Sequence, residues 1–179
     1  MAKKIILLAI AFIFLGLIGL LARKYQEKAK KIAIIKEQVQ TIPDLILKTI
    51  GGEVISLTNY AEGSPFLIVY FNSTCEICRI ELNAINERIS EFKKVKVLLA
   101  SSQELSELED IYKDFPFVSE LNFQVAWDDE MRLSEFLGIK SVPTNFCYGE
   151  NADLISIHQG PVKMDILLGK LLNGKEEKP

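Results

Sequence analysis

Two cysteines three residues apart, Cys75 and Cys78, are the residues of this sequence best suited to chemistry. They lie in the stretch Phe71-Asn72-Ser73-Thr74-Cys75-Glu76-Ile77-Cys78-Arg79-Ile80-Glu81. If a helix begins there, the second thiol lies one turn after the first. A thiolate in the first turn of a helix meets unpaired N–H groups and the positive end of the macrodipole. Its pKa falls and it becomes a nucleophile near neutral pH. The second cysteine can attack the mixed disulfide formed by the first and release the partner, which is dithiol/disulfide exchange. Zinc is the competing use of such a pair, but a four-ligand site wants a second pair or two histidines. The chain offers only Cys147 and His158, at unrelated spacing. A purely structural disulfide would close too short a loop to remove much unfolded-state entropy.

The flanking sequence predicts the elements that hold these thiols. Phe66 to Phe71 is a short, β-branched apolar run, the pattern of a buried central strand. After it, Ile77, Ile80, Ala84, Ile85, Ile89 and Phe92 recur at helical spacing. The cysteines therefore sit where a strand ends and a helix begins. Leu45–Lys48 and Val54–Leu57 flank Gly51-Gly52 and predict a β-hairpin. Thr58 to Pro65 is a turn or short helical bridge. Val95–Ala100 predicts a second buried strand, and Ser101–Glu104 the start of a helix running to Phe115 and ending at Pro116. Phe123–Ala126 predicts a strand. Asp128 or Asp129 caps a helix through Met131, Leu133, Phe136 and Leu137, closed by Gly138. Thr144–Tyr148 and Leu154–His158 predict an antiparallel hairpin, and Val162–Leu172 a last amphipathic helix. Strands alternating with helices, then a hairpin, indicate an α/β three-layer domain with a mixed sheet.

The 179 residues leave room for one domain and a tail, and the net charge is -3. No basic cluster lies in the folded part, so nothing points to nucleic acid. The start differs: Met1-Ala-Lys-Lys4 is basic, and Ile5 to Ala22 is an unbroken apolar run long enough to span a bilayer. It is longer than a signal-peptide core, and Leu20-Leu21-Ala22 is a poor cleavage site, which favours a retained anchor at residues 1–22. Residues 23–40 form a charged helical stalk or a solvated linker, 41–173 the domain, and 174–179 a polar tail. Arg23, Lys24, Lys28, Lys30 and Lys31 outnumber Lys3 and Lys4, so charge counting alone leans towards a cytoplasmic domain. The redox pair leans the other way, since disulfides persist outside the cytoplasm. The expectation adopted is the extracytoplasmic face.

Taken together, these segments resemble the thioredoxin superfamily. More narrowly, they are similar to its membrane-anchored TlpA/ResA-like thiol-disulfide oxidoreductases. The likeness covers about Ile42 to Leu172. It rests on Pro43-Asp44-Leu45 with the glycine hairpin, on Phe71–Glu81, and on Leu137-Gly138-Ile139 to Val142-Pro143-Thr144. The resemblance implies a thioredoxin-like sandwich in which Cys75 attacks and Cys78 resolves, with no cofactor beyond their disulfide. Pro143 would be a cis-proline that lets the Val142 backbone pair with a client's extended chain. Glu81, on the apolar-facing side of its helix, would have a raised pKa and exchange protons with Cys78. Implied partners are protein disulfide or dithiol clients and a membrane electron donor. Cytochrome c maturation is the process most associated with this branch.

The chain departs from that pattern at Thr74, where the branch usually has Trp before the first cysteine. The change alters the docking surface around Cys75 more than the exchange chemistry. Glu76 places negative charge beside the thiolate, which opposes the dipole and favours a reductant over an oxidant. Cys147 fits a buried small hydrophobe, and His158 a packed residue in the last strand. Trp127-Asp128-Asp129 packs and caps a helix. The phenylalanines at 66, 71, 92, 115, 117, 123, 136 and 146 are assigned to the core. Two rival functions use the same fold: a copper-delivery module with soft thiolate ligands and His158, and a thiol peroxidase.

Overall fold

A computed structural model describes the backbone of residues 2–174 and the side chains of 14–174. The chain divides into two compact units, Met1–Glu37 and Gln38–Pro179. The first unit is helical: α1 runs over Ala2–Gln38 and ends inside the second. Among the described residues no helix is long and apolar enough to cross a membrane. The apolar run expected as an anchor falls partly outside them, since the side chains of residues 5–13 are not described. The tail at 175–179 also lies outside the described residues.

The second unit is built on one seven-stranded sheet. Its strands are β1 (Ile46–Thr49), β2 (Val54–Ser56), β3 (Phe66–Tyr70), β4 (Lys96–Ser101), β5 (Phe123–Trp127), β6 (Thr144–Tyr148) and β7 (Leu154–Gln159). Their order is β2-β1-β5-β4-β3-β6-β7. The β3/β4 and β4/β5 pairs are parallel, and the remaining neighbours are antiparallel. The sheet is therefore mixed, as expected. Every residue of β3 and of β6 is buried. Successive side chains point to opposite faces, so both faces of the sheet are covered.

One face carries Leu67, Val69 and Phe71. They share a core with Cys78, Leu82 and Ile85 of α3 (Glu76–Glu87) and with Leu167, Leu168 and Leu171 of α7 (Met164–Asn173). Leu108 and Ile111 join it, from α4 (Leu105–Leu108) and α5 (Ile111–Asp114). On the other face Phe66 makes a T-shaped contact with the Tyr60 ring of α2 (Leu57–Ala61). There, too, Tyr70 reaches Asp128, just before α6 (Arg132–Leu137).

Two expectations need correction. The single helix from Ser101 to Phe115 is instead α4 and α5, broken at Glu109–Asp110. Ser101 closes β4, and Glu104 is the N-cap. Ser101 stays paired with Trp127 of β5, so the helix starts late. In α3, Ile77 and Ile80 are 48% and 59% exposed. The buried face is Cys78, Glu81, Leu82 and Ile85. That set also has helical spacing, but reading apolar residues alone skips its cysteine and glutamate. Of the phenylalanines assigned to the core, only Phe136 is half-buried; the others are buried.

Asp128 fixes the end of the sheet nearest the proline loop. Its buried carboxylate accepts from the Tyr70 hydroxyl at 2.9 Å and from the backbone N–H groups of Leu133 and Ser134 at 3.0 and 2.9 Å. It thus caps α6 from four residues before its first turn. Gly138 ends that helix in the left-handed conformation, φ 65°, which costs glycine little. Asp128→Ala strands two buried backbone donors, removes one partner of the Tyr70 hydroxyl, and is expected to lower stability by about 3 kcal/mol. Urea unfolding measures this, and a loss below about 1 kcal/mol would show that the capping is dispensable.

Candidate active site

The strand-to-helix junction sets the two thiols in different surroundings. After β3 the chain turns at Asn72. Its side-chain oxygen accepts from the Thr74 N–H at 2.9 Å and from the Thr74 hydroxyl at 2.7 Å. Its backbone carbonyl accepts from the Cys75 N–H at 3.2 Å. Cys75 is then the N-cap of α3 and partly exposed. Cys78, one turn on, is buried. Both are free thiols.

Burial and helix geometry push their acidities apart. The Cys78 thiol and backbone N–H, with that of Ile77, hold the Cys75 thiol below its usual range. Glu76 pushes it up, as the sequence implies, but by the least of these effects. Cys78 is pushed up to about 12, chiefly by burial. The neighbouring Cys75 and Glu81 charges add to that. The pair therefore combines an accessible nucleophile with a protected thiol that needs a base before it can react.

Glu81, whose charge acts on Cys78, is the candidate for that base. It is 2% exposed, on the sheet-facing side of α3. Burial raises its pKa to about 7, against the pull of the Asn145 side chain and the Val162 amide. The Asn145 Nδ2–H donates to Glu81 Oε1 at 2.8 Å. Asn145 was not singled out in the sequence. The signal was there, as an amide side chain leading into the apolar run Phe146-Cys147-Tyr148.

The proline loop lies beside this junction. Tyr70 pairs with Thr144 in the β3/β6 register. Val142 and Pro143 therefore come next to Phe71 and Asn72 at the same end of the sheet. The Val142–Pro143 bond is cis, and the Pro143 carbonyl accepts from Gly160 N–H at 2.8 Å. Thr74 is exposed, Val142 half-buried and Pro143 buried. On the other side of Thr74 a groove of about 250 Å³ is lined by Ser73, Arg79, Glu107, Asp110, Ile111 and Asp114. Arg79 pairs with Asp114 at 2.9 Å and lies over the Phe115 ring.

The remaining candidates fall elsewhere. Cys147 is fully buried in β6, where burial lifts its pKa to about 11. His158 is in β7, its Nε2 3.1 Å from the Ser156 hydroxyl. The Trp127 indole N–H donates to the Gln103 carbonyl at 2.8 Å. Among the described residues no group of three or more His, Cys, Asp or Glu side chains is placed to hold a metal ion.

A mixed sheet with a Cys-x-x-Cys pair at a strand-to-helix junction, facing a cis-proline loop, defines a thioredoxin-like thiol-disulfide oxidoreductase. Residues 39–156 match the AhpC/TSA family, and the chain belongs to it. It is 24% identical over 163 residues to the sporulation thiol-disulfide oxidoreductase A of Bacillus subtilis, covering 90% of this chain and 93% of that one. It is 27% identical over 133 residues to the thiol-disulfide oxidoreductase ResA of Oceanobacillus iheyensis, covering 72% and 68%. Among solved structures, the exposed lipoprotein thioredoxin of Streptococcus pneumoniae superposes with a TM-score of 0.62 at 25% identity. That match covers 73% of this chain and 99% of the other.

The raised Glu81 pKa has a consequence for stability. Between pH 4.5, the ordinary carboxyl value, and about 7, the folded protein holds a proton that the unfolded chain has lost. Stability is therefore full below 4.5 and falls as pH rises to about 7, by about 3 kcal/mol in all. Glu81→Gln is expected to remove this fall and to be more stable than the parent above pH 7. Urea unfolding of the reduced protein at pH 4.5, 6 and 8 checks it; an unchanged slope in the variant would contradict it.

Proposed function

We propose that this chain is a membrane-anchored reductant of protein disulfides on the extracytoplasmic face. The observation that carries the proposal is the contrast between a partly exposed Cys75 held low and a buried Cys78 held high beside Glu81. In the reduced protein the Cys75 thiolate attacks a client disulfide. A Cys75–client disulfide forms, the client's own S–S bond breaks, and one client sulfur leaves as thiolate. Cys78 then gives its proton to the Glu81 carboxylate and attacks the Cys75 sulfur. The Cys75–Cys78 disulfide forms and the second client sulfur leaves. Two electrons pass from the protein to the client. A base with a pKa near neutrality suits the second step, because it is substantially ionised yet still basic enough to accept the proton.

Thr74, Val142 and Pro143 form the docking rim in this proposal. The client lies as an extended chain against the Val142 backbone, in the manner of strand addition. Ile77 and Ile80 give the rim an apolar border. Residues 5–22 hold the domain to the membrane, and a membrane electron donor returns the disulfide to the dithiol. The name of the pneumococcal neighbour, an exposed lipoprotein, supports an outward-facing domain. Cytochrome c maturation needs such an activity, because the haem-binding Cys-x-x-Cys pairs must be reduced before attachment. No observation favours the copper or peroxidase readings over this one.

Turnover of a disulfide-bonded protein substrate, with dithiothreitol as the final reductant, tests the proposal. Cys75→Ser is expected to lose more than about 100-fold of the rate. Cys78→Ser should accumulate a mixed disulfide at Cys75, visible as a mass increase that a thiol reverses. Equal loss in both variants with no trapped species would contradict the assigned order of attack.

A further inference from the structure

Two buried side-chain polar atoms among the described residues have no hydrogen-bond partner: Glu81 Oε2 and Asn145 Oδ1. They belong to the two residues already joined by the 2.8 Å bond from Asn145 Nδ2 to Glu81 Oε1. Asn145 is fully buried and Glu81 nearly so. An unsatisfied polar atom so far from water is costly. Here both orphans are acceptors, and a proton on the carboxyl supplies the missing donor. A primary amide and a carboxylic acid are complementary in this way: N–H donates to one carboxyl oxygen, and the acid O–H donates back to the amide oxygen.

We propose that Asn145 is a positioning residue of the redox site, whose amide pairs with Glu81 in both protonation states and tunes it as the proton acceptor for Cys78. In the ionised state the Nδ2–H holds the carboxylate. When Cys78 gives up its proton, the proton lands on Oε2, and the new O–H turns to Asn145 Oδ1. The electron pair left on the Cys78 sulfur attacks Cys75, and the client sulfur leaves. The inference rests on the proton-transfer role proposed for Glu81 and deepens it.

Other titratable groups surround the pair. Cys75 and Cys78 are on its own helix. Cys147 faces it from β6, and His158 from β7, opposite Asn145 in register. Lys170 of α7 acts on Cys147. The backbone amide of Val162 adds to the hold on the carboxylate, and the Asn145 bond pulls the Glu81 pKa down from where burial alone would set it. Removing the amide should therefore move the proton acceptor upward in pH.

The test uses the reduced full chain in detergent and an aromatic disulfide, 5,5′-dithiobis(2-nitrobenzoate), in stopped flow. Attack by Cys75 releases one coloured thiolate, and ring closure by Cys78 releases the second. Runs in a Cys147→Ala background remove the third thiol. The pH profile of the second phase should bend near pH 7 in the parent. With Asn145→Leu the bend should move up by about one pH unit, with about a fivefold slower second phase at pH 7 and an unchanged first phase. Asn145→Ser, whose hydroxyl can donate and accept, should restore the bend, and it serves as the variant of record if the leucine protein does not fold, with Asn145→Ala as its contrast. In a Glu81→Gln background the bend should be absent and Asn145→Leu should shift nothing further. If Glu81→Gln removes the bend but Asn145 variants leave it at the parent pH, the Asn145 assignment is overturned and Glu81 stands. If Glu81→Gln itself leaves the bend in place, the proton-transfer role of Glu81 fails, and this inference with it.

Discussion

The burial of one face of α3 against a sheet that is dry on both sides constrains everything else in the site. Leu82 and Ile85 on that face each contribute about 2 kcal/mol of apolar burial. Their packing fixes the rotation of the helix about its axis. With that rotation fixed, Cys78 and Glu81 have to enter the interior, and Cys75 at the N-cap has to stay at the rim. Two identical thiols on one turn thereby acquire opposite tendencies: hydrogen-bond donors favour the thiolate at the rim, and desolvation opposes it inside. The carboxyl is carried into the same dry space, where it becomes a group that titrates near neutrality.

The surrounding fold serves that placement. β3 delivers the turn at Asn72, and its pairing with β6 brings the Val142–Pro143 loop to the same end of the sheet. Asp128 ties the helix before that loop to the hydroxyl of Tyr70 at the end of β3. The active end of the molecule is thus braced by hydrogen bonds between elements far apart in sequence, as a site needs if its groups are to stay within reach of one another. Rotation of α3 also has an outward consequence. It leaves Ile77 and Ile80 as exposed apolar side chains on the outer face of α3.

Much of this was legible in the sequence because it rests on local signals. The apolar run 66–71, the Gly51-Gly52 turn, the Cys-x-x-Cys spacing and the Val-Pro-Thr loop each identify an element through one or two residues. What was missed depends on contacts between elements. Ile77 and Ile80 have the right periodicity for a core face, and only the packing of Leu82 and Ile85 on the sheet decides against them. The helix after β4 starts late because Ser101 stays in the sheet, paired opposite Trp127 of β5. Asn145 becomes meaningful only when β6 is laid beside α3 and its amide meets Glu81. Burial of Glu81 could be anticipated from helical spacing; the identity of its partner could not.

The central claim is that Cys75 and Cys78 form a reversible two-electron couple poised as a reductant. Its reduction potential tests this most directly. The full chain would be equilibrated in thiol redox buffers at pH 7, alkylated, and its oxidised and reduced forms counted by mass. A potential near that of thioredoxin, about -270 mV, is the expected result. A value near about -120 mV, that of a strong oxidant, would contradict the assigned direction of electron flow. The absence of any reversible couple would contradict the dithiol chemistry itself.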